Sequence, residues 1–244
     1  MKIILTIAVV LIGSVFARAQ KVVDITHSDA DVVRQQMING LVGGQVITPV
    51  TYVKLTEGSP WFSDEWADGA LLMTGGKVIE HLRLKLDLLQ KEIHYKNADG
   101  QEMIATTPIR AVTLSSPAGT ITFVPGTPWR GIDKALDGAW LQVLVNDKVS
   151  LLHEIRKKMA DNTPYGGSTV ERTITDVHFF YLQINGKFLR IRSWSDLPAL
   201  LGDKPQAVAA FIRDNHLKGR TPDEYAQVVT YYNTLIDSQK VTKD

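Results

Sequence analysis

Residues 82–88 read Leu-Arg-Leu-Lys-Leu-Asp-Leu. Apolar and charged positions alternate at period two, which predicts a strand with one face in a core and the other in water. The stripe Leu82, Leu86, Leu89 and Ile93 also fits a helix. Gly75-Gly76 just upstream reads as a hairpin turn, and similar hairpins recur later, so the strand is preferred. Further short strands are predicted at 70–74, 77–80, 91–96, 103–106, 109–114 and 120–124. They are separated by a reversal near Gln90, the Asp99-Gly100 turn, and scattered Pro and Gly. Upstream, Gly43-Gly44 reads as a turn between Leu41-Val42 and residues 45–47, with Pro49 ending the pair.

Two later hairpins carry register. Asn146-Asp147, taken as a two-residue turn, joins 139–145 to 148–156 and pairs Leu144 with Val149, Gln142 with Leu151, and Trp140 with His153. Asn185-Gly186 is the strongest turn signal and joins 177–184 to 187–192. It pairs Leu182 with Leu189 and Phe180 with Ile191 on one face. The other face pairs Tyr181 with Arg190 and Phe179 with Arg192, aromatic–guanidinium contacts of about 0.5–1 kcal/mol each.

The period then changes to 3.6. Ser195 is placed to cap a short helix ending at Gly202. Pro205 suits the first turn of the next, which carries Val208, Phe211 and Ile212 on one side. Thr221-Pro222-Asp223-Glu224 is a capping box. After it Tyr225, Val228, Val229, Tyr232, Leu235 and Ile236 form one apolar stripe. Near the start of the chain, residues 28–31 cap a short helix through Val32, Val33, Gln36 and Met37. These elements predict a mainly β (α+β) fold. An antiparallel β-meander of about nine to eleven strands would form a curved sheet or open barrel, with two to three C-terminal helices packed on it. A two-layer α+β sandwich is the alternative.

The first nineteen residues read as a signal peptide: Lys2, an apolar run over 3–16, and Ala17-Arg18-Ala19 as an A-x-A cleavage site. The run is short for a membrane span of about 20 residues. The domain reading is therefore 1–19 leader and 20–244 a single β-rich domain with a helical part at about 194–238. The expected location is exported, periplasmic or extracellular, with no transmembrane span after cleavage. The 27 basic and 26 acidic residues become 25 and 26 once Lys2 and Arg18 leave, a net charge of −1 over 225 residues (244 minus 19). That balance argues against a nucleic-acid partner. There is no cysteine, which excludes disulfides, thiolate metal sites and a Cys nucleophile.

Gly126-Thr127-Pro128-Trp129 echoes Gly58-Ser59-Pro60-Trp61, and Asp137-Gly138-Ala139 echoes Asp68-Gly69-Ala70. A duplicated β unit is one reading, and the generic likeness of hairpins is the other. Several motifs together resemble an exported protein family of Bacteroidetes-type bacteria. They are the Gly-Ser-Pro-aromatic segment at 58–61, a strand pair at 82–93, a hairpin at 145–152, and an Asn-Gly-Lys hairpin. After these come Phe211-Ile212-Arg213-Asp214-Asn215-His216-Leu217-Lys218 and Tyr231-Tyr232-Asn233-Thr234-Leu235. Leu84-Lys85 departs from the Tyr-Asn of that family's strand pair. The resemblance implies a compartment and an architecture, and no reaction, ligand or catalytic residue.

Candidate chemistry is sparse. His153-Glu154-Ile155-Arg156-Lys157 begins like a zinc-protease motif but has Lys at its fifth position and lies on a predicted strand. His81, His94, His153 and His178 all fall on strands without metal-ligand spacing, so no metal and no cofactor is expected. No nucleophile elbow, P-loop or dinucleotide fingerprint is present. The carboxylates Asp223 and Glu224 are accounted for by helix capping. Asp64 and Glu65, flanked by Trp61 and Trp66, form the one stretch suited to ligand binding. Aromatics there stack on sugars and two carboxylates serve as acid and base; the plainer reading has the tryptophans plugging one end of the sheet. The leading expectation is a non-catalytic exported protein that binds an envelope protein or an apolar small molecule. The alternatives are a glycan-acting hydrolase using Asp64 and Glu65, and a purely structural envelope interaction module.

Overall fold

The computed structural model describes residues 22–23, 42–43, 45–46, 53–126, 136–163, 165 and 170–241. Outside them lie the leader expected over 1–19, the helix expected at Val32 to Met37, and the echo past Gly126.

The strands in chain order are β1 (Val22–Val23), β2 (Gln45–Val46), β3 (Val53–Glu57), β4 (Ala67–Met73), β5 (Val78–Asp87), β6 (Glu92–Lys96), β7 (Glu102–Ile104), β8 (Ile109–Ser116), β9 (Gly119–Pro125), β10 (Trp140–Val145), β11 (Val149–Asn162), β12 (Val170–Ile184) and β13 (Lys187–Ile191). They form one sheet ordered β13-β12-β11-β10-β9-β8-β4-β5-β6-β7-β2. Pairing along this path is antiparallel; β1 adds parallel to β5 and β3 parallel to β12. The path does not close, so the sheet is open and mixed. A 3-10 turn (Trp194–Asp196) leads into α1 (Leu197–Leu200), α2 (Pro205–Asp214) and α3 (Pro222–Val241). The expected β-rich class with C-terminal helices is what the chain adopts.

One connection shapes the sheet. β7 and β8 are consecutive in the chain but four positions apart in the strand order. Strands sit about 4.8 Å apart, so a flat sheet would separate these two by about 19 Å. The linking residues 105–108 reach at most about 17–18 Å when fully extended. They are also tied down on the way, since Ala105 N–H bonds Ile93 O, Thr107 N–H bonds Val42 O, and Pro108 O accepts from Thr74 N–H. The sheet must curl across β4 to β7. Leu71, Leu82, Leu84, Leu86, Ile93, Tyr95, Val112 and Phe123 fill the concave side of that curl.

The leucine strand is real and longer than 82–88. Ile79 and Leu82 both face the core although they differ in parity. His81, at φ +58, makes this fit. The pairing with β4 shifts between Gly69–Leu82 and Leu71–Ile79, so β5 carries an extra residue there. Such a bulge resets the alternation, and 77–80 and 82–88 become one strand.

Other expectations need correction. The hairpin around Gly43-Gly44 is not formed: Val42 is helical, Gly43 has φ +68, and β2 pairs with β7. A Cβ on Gly43 would run into the Thr106 and Thr107 hydroxyls. Asp68 and Gly69 lie within β4, whereas Asp137 and Gly138 form a turn, so the echoed tripeptides are not structurally equivalent. The Asn146-Asp147 connection is longer than two residues. Its register is Val143 with Leu152, Gln142 with His153 and Leu141 with Glu154, with a bulge before Val145. Asn185-Gly186 behaves as read, with φ +50 and +72 and the expected pairs Leu182–Leu189, Phe180–Ile191 and Tyr181–Arg190. The guanidiniums over Phe179 belong to Arg156 and Arg190, since Arg192 lies past the end of β13.

The helices cover the concave side at the β10–β13 end, where Val149, Leu151, Leu182 and Ile191 meet Val208, Val228 and Val229. Pro205 opens α2 as expected. Ser195 caps nothing; it sits inside the 3-10 turn and its hydroxyl bonds Ser193. Thr221 accepts from Glu224 N–H, and the Glu224 carboxylate reaches back to the backbone N–H groups of Arg220 and Lys218. Asn233, absent from the expected stripe, is 2 % exposed and clamps the sheet. Its Oδ1 accepts from Val149 N–H at 3.0 Å and its Nδ2 donates to Val149 O at 2.9 Å.

Two substitutions test this packing. Val229 is 0 % exposed, and Val229→Asp is expected to cost at least about 3 kcal/mol through a buried unpaired charge. Asn233→Leu leaves both Val149 groups unmet, at about 1–3 kcal/mol each. Urea denaturation of the two variants measures both, and a midpoint equal to wild type for either would refute its contact.

Candidate functional site

Residues 58–66 carry the expected binding stretch, and hydrogen bonds lay the first part of it along β5. Phe62 N–H donates to Leu86 O and Leu88 N–H to Pro60 O, each at 2.9 Å. Trp61 forms a bridge with Asp87. The period of two then sends neighbouring aromatics to opposite sides. Phe62 turns inward and meets Phe123 edge-on at 4.8 Å. Trp61 turns outward, covering His94 edge-on at 4.8 Å, with Lys85 Nζ 4.3 Å from its ring. Trp66 lies under Lys96 Nζ at 5.1 Å. The aromatic that plugs the curl is therefore Phe62, not the two tryptophans.

Beyond Phe62 the chain loops away from β5 and rejoins the sheet at Ala67, opposite Leu84. The gap left in the sheet is a cleft of about 390 Å³. Phe62, Trp66, Leu84, Leu86, Leu114 and Ile121 give it an apolar lining; Glu65, Lys85 and Ser115 stand at it as polar groups. Of the four residues singled out from the sequence, Glu65 and Trp66 border this cleft. Asp64 does not; it is exposed and accepts from Ser59 Oγ–H at 2.5 Å. Trp61 lies on the outer face of β5 and β6. The structure thus brings one carboxylate and one tryptophan of the set to a common space.

A second polar cluster was not anticipated. Along one face of β11, Val149 and Leu151 belong to the helix-covered core and Ile155 packs on the core of the curl. His153, 2 % exposed, sits between them. Its Nδ1 is 3.1 Å from Gln142 Oε1 and its Nε2 is 2.9 Å from His178 Nδ1. An amide oxygen only accepts, so His153 carries its proton on Nδ1. His178 then donates from its own Nδ1 to His153 Nε2. The His153 ring also stacks on Phe180, which stacks on Tyr225. Burial, reinforced by the neighbouring His178, pushes the His153 pKa down to about 4. On the opposite face Glu154 is 3 % exposed. Arg156 grips it with two bonds, at 2.7 and 3.0 Å, and the Tyr181 hydroxyl donates to it at 2.8 Å.

No family model, no curated protein and no solved structure matches the chain. The residues themselves must carry the reading.

Among the described residues no group of three or more His, Asp or Glu is arranged to hold a metal ion. His81 and His94 lie apart from the His153–His178 pair; His94 Nδ1 is 2.7 Å from Glu102 and its ring is covered by Trp61. The register that brings His153 and His178 together depends on β11 pairing with β12, so their 25-residue separation held no local signal. What the assembled groups offer is an apolar recess with polar groups at it and a buried His153, bonded to Gln142 and His178, packed between two cores.

The histidine yields a pH test. In the unfolded chain an imidazole titrates near 6.5, and His153 in the fold near 4. Between these values the unfolded chain binds more protons, so stability falls as pH falls through that window and is intact above 6.5. The expected contribution lost between pH 7 and 4.5 is about 2–3 kcal/mol. Urea denaturation at both pH values should show His153→Gln losing that much less than wild type. Equal losses would remove His153 from the account.

Proposed function

We propose that this chain is a non-catalytic binding protein of the cell envelope that takes an apolar group into the cleft between residues 62–67 and β5. The observation that carries this is the cleft itself. Its volume of about 390 Å³ lies within the roughly 300–1,000 Å³ of small-molecule sites, and such sites are mostly apolar with a few polar groups. The concave core beside it is filled, with Leu84 and Leu86 at most 1 % exposed, so the occupant enters at the surface. Export is part of the same proposal and is supported by the leader-like composition of residues 1–19, as is membership of the exported family the motifs resemble. A hydrolase working through Asp64 and Glu65 is the weaker reading, because Ser59 holds Asp64 outside the cleft.

Titration with the neutral apolar dye N-phenyl-1-naphthylamine tests the proposal. Wild type should bind it saturably at one site. Ile121→Trp, which fills the cleft, and Ser115→Trp, which covers its polar side from an exposed position, should each weaken binding by about tenfold or more. Both variants should melt as wild type does. Absence of saturable binding, or equal affinity in all three proteins, overturns the reading.

A further inference from the structure

β11 is longer than the strand beside it. Its register with β10 ends at Leu141–Glu154, yet β11 runs on to Asn162, paired with β12 throughout. Among the described residues no strand covers the other edge of 155–162. An unpaired strand edge is a row of backbone donors and acceptors ready for another chain.

At the inner end of this edge lies a second cleft, of about 250 Å³. Glu154, Ile155, Arg156 and Lys157 all line it. Successive side chains of a strand point to opposite faces, so a space touching four in a row faces the strand's edge. Ala139, Trp140 at the start of β10, and Leu88 and Lys91 from the β5–β6 turn complete the walls. Trp140 Nε1–H donates to Lys91 O at 3.1 Å and Lys91 Nζ to Asp137 O at 2.6 Å, which fixes this corner. The cleft is smaller than the roughly 300–1,000 Å³ of whole-ligand sites and suits a single residue.

The charge of the cleft selects which residue. Three cations, Lys91, Arg156 and Lys157, face one carboxylate, Glu154, whose oxygens are already bound by Arg156 and Tyr181. Lys157 pairs with Asp176 at 2.8 Å. Lys91 bonds only a neutral carbonyl, and no carboxylate pairs with it among the described residues. The strand direction agrees. A segment added antiparallel to β11 continues the line of β10 from the far end of the edge toward Trp140. Its last residue, not its first, then enters the cleft. Parallel addition would bring a positive amino terminus to the same cations.

We propose that β11 receives the extended C-terminal segment of another polypeptide, its terminal carboxylate held by Lys91 and its last, apolar side chain seated against Trp140 and Leu88. Backbone hydrogen bonds along 155–162 supply a sequence-tolerant part of the affinity, and the cleft supplies the preference for a free chain end. This site is separate from the cleft of the proposed function and stands or falls independently of it.

The test is fluorescence anisotropy of the full chain with an N-terminally labelled heptapeptide of alternating Thr and Val ending in Val. The free acid should bind saturably, and the C-terminal amide at least about tenfold more weakly. Lys91→Gln should reduce the acid's affinity toward the amide's. A peptide N-methylated at alternate residues, which leaves the protein unaltered, should lose binding. Hydrogen exchange should slow at 155–162 on adding the acid. No binding, equal binding of acid and amide, or protection elsewhere overturns the proposal. Peptide-free protection of 155–162 that vanishes on dilution also overturns it, because the edge is then an interface between copies of this chain.

Discussion

The curl of the sheet depends on a short piece of chain. Residues 105–108 return from β7 to a strand four positions away and hold fast to Ile93, Val42 and Thr74 on the way. A flat sheet cannot satisfy that connection. Once the sheet bends, the leucine face of β5 becomes the inside of a pocket of strands rather than one wall of a layer. Phe62 can then reach Phe123 across it, and the loop that carries Phe62 leaves and rejoins the sheet with a gap. The cleft bordered by Glu65 and Trp66 opens where that loop leaves the sheet.

The concave face is not one uniform core. β11 passes from the helix-covered side to the curl, and His153 sits where it crosses. A buried imidazole with both nitrogens engaged costs little, because neither polar atom is left without a partner. It also contributes direction. Gln142, His153 and His178 bond only when β10, β11 and β12 hold their observed register, so a slip of one residue would leave buried polar atoms unmet. On the convex side Glu154, Arg156 and Tyr181 impose the same register. Burial, with the Glu154 carboxylate beside it, holds the Tyr181 hydroxyl well above its ordinary range and so keeps it a donor.

Sequence reading succeeded where the determining physics is local. The alternation at 82–88, the left-handed pair Asn185-Gly186 and the helix opening at Pro205 are each set by a few adjacent residues. It failed where a distant strand decides. The Asn146-Asp147 hairpin was misaligned because a bulge before Val145 lengthens it, and the extra residue at His81 was hidden for the same reason. Glu65 and Trp66 were legible as an aromatic–acid stretch, yet which of the stretch's residues border a common space depends on where β5 and the β8–β9 turn lie. A lone Asn beside a helical apolar stripe reads as surface, and only the contact with Val149 shows the purpose of Asn233.

Gly58 lies at the surface, in a loop, with φ +78. A Cβ there would stand 1.9 Å from Ile174 O, a backbone atom that cannot swing aside. The parallel seat of β3 against β12 ends at this point. Gly219 is confined in the same way by the Trp194 ring, 2.3 Å from where its Cβ would be. Tolerance to substitution along this chain therefore does not follow solvent exposure. At these two positions the close neighbour, rather than burial, sets the limit on side-chain size.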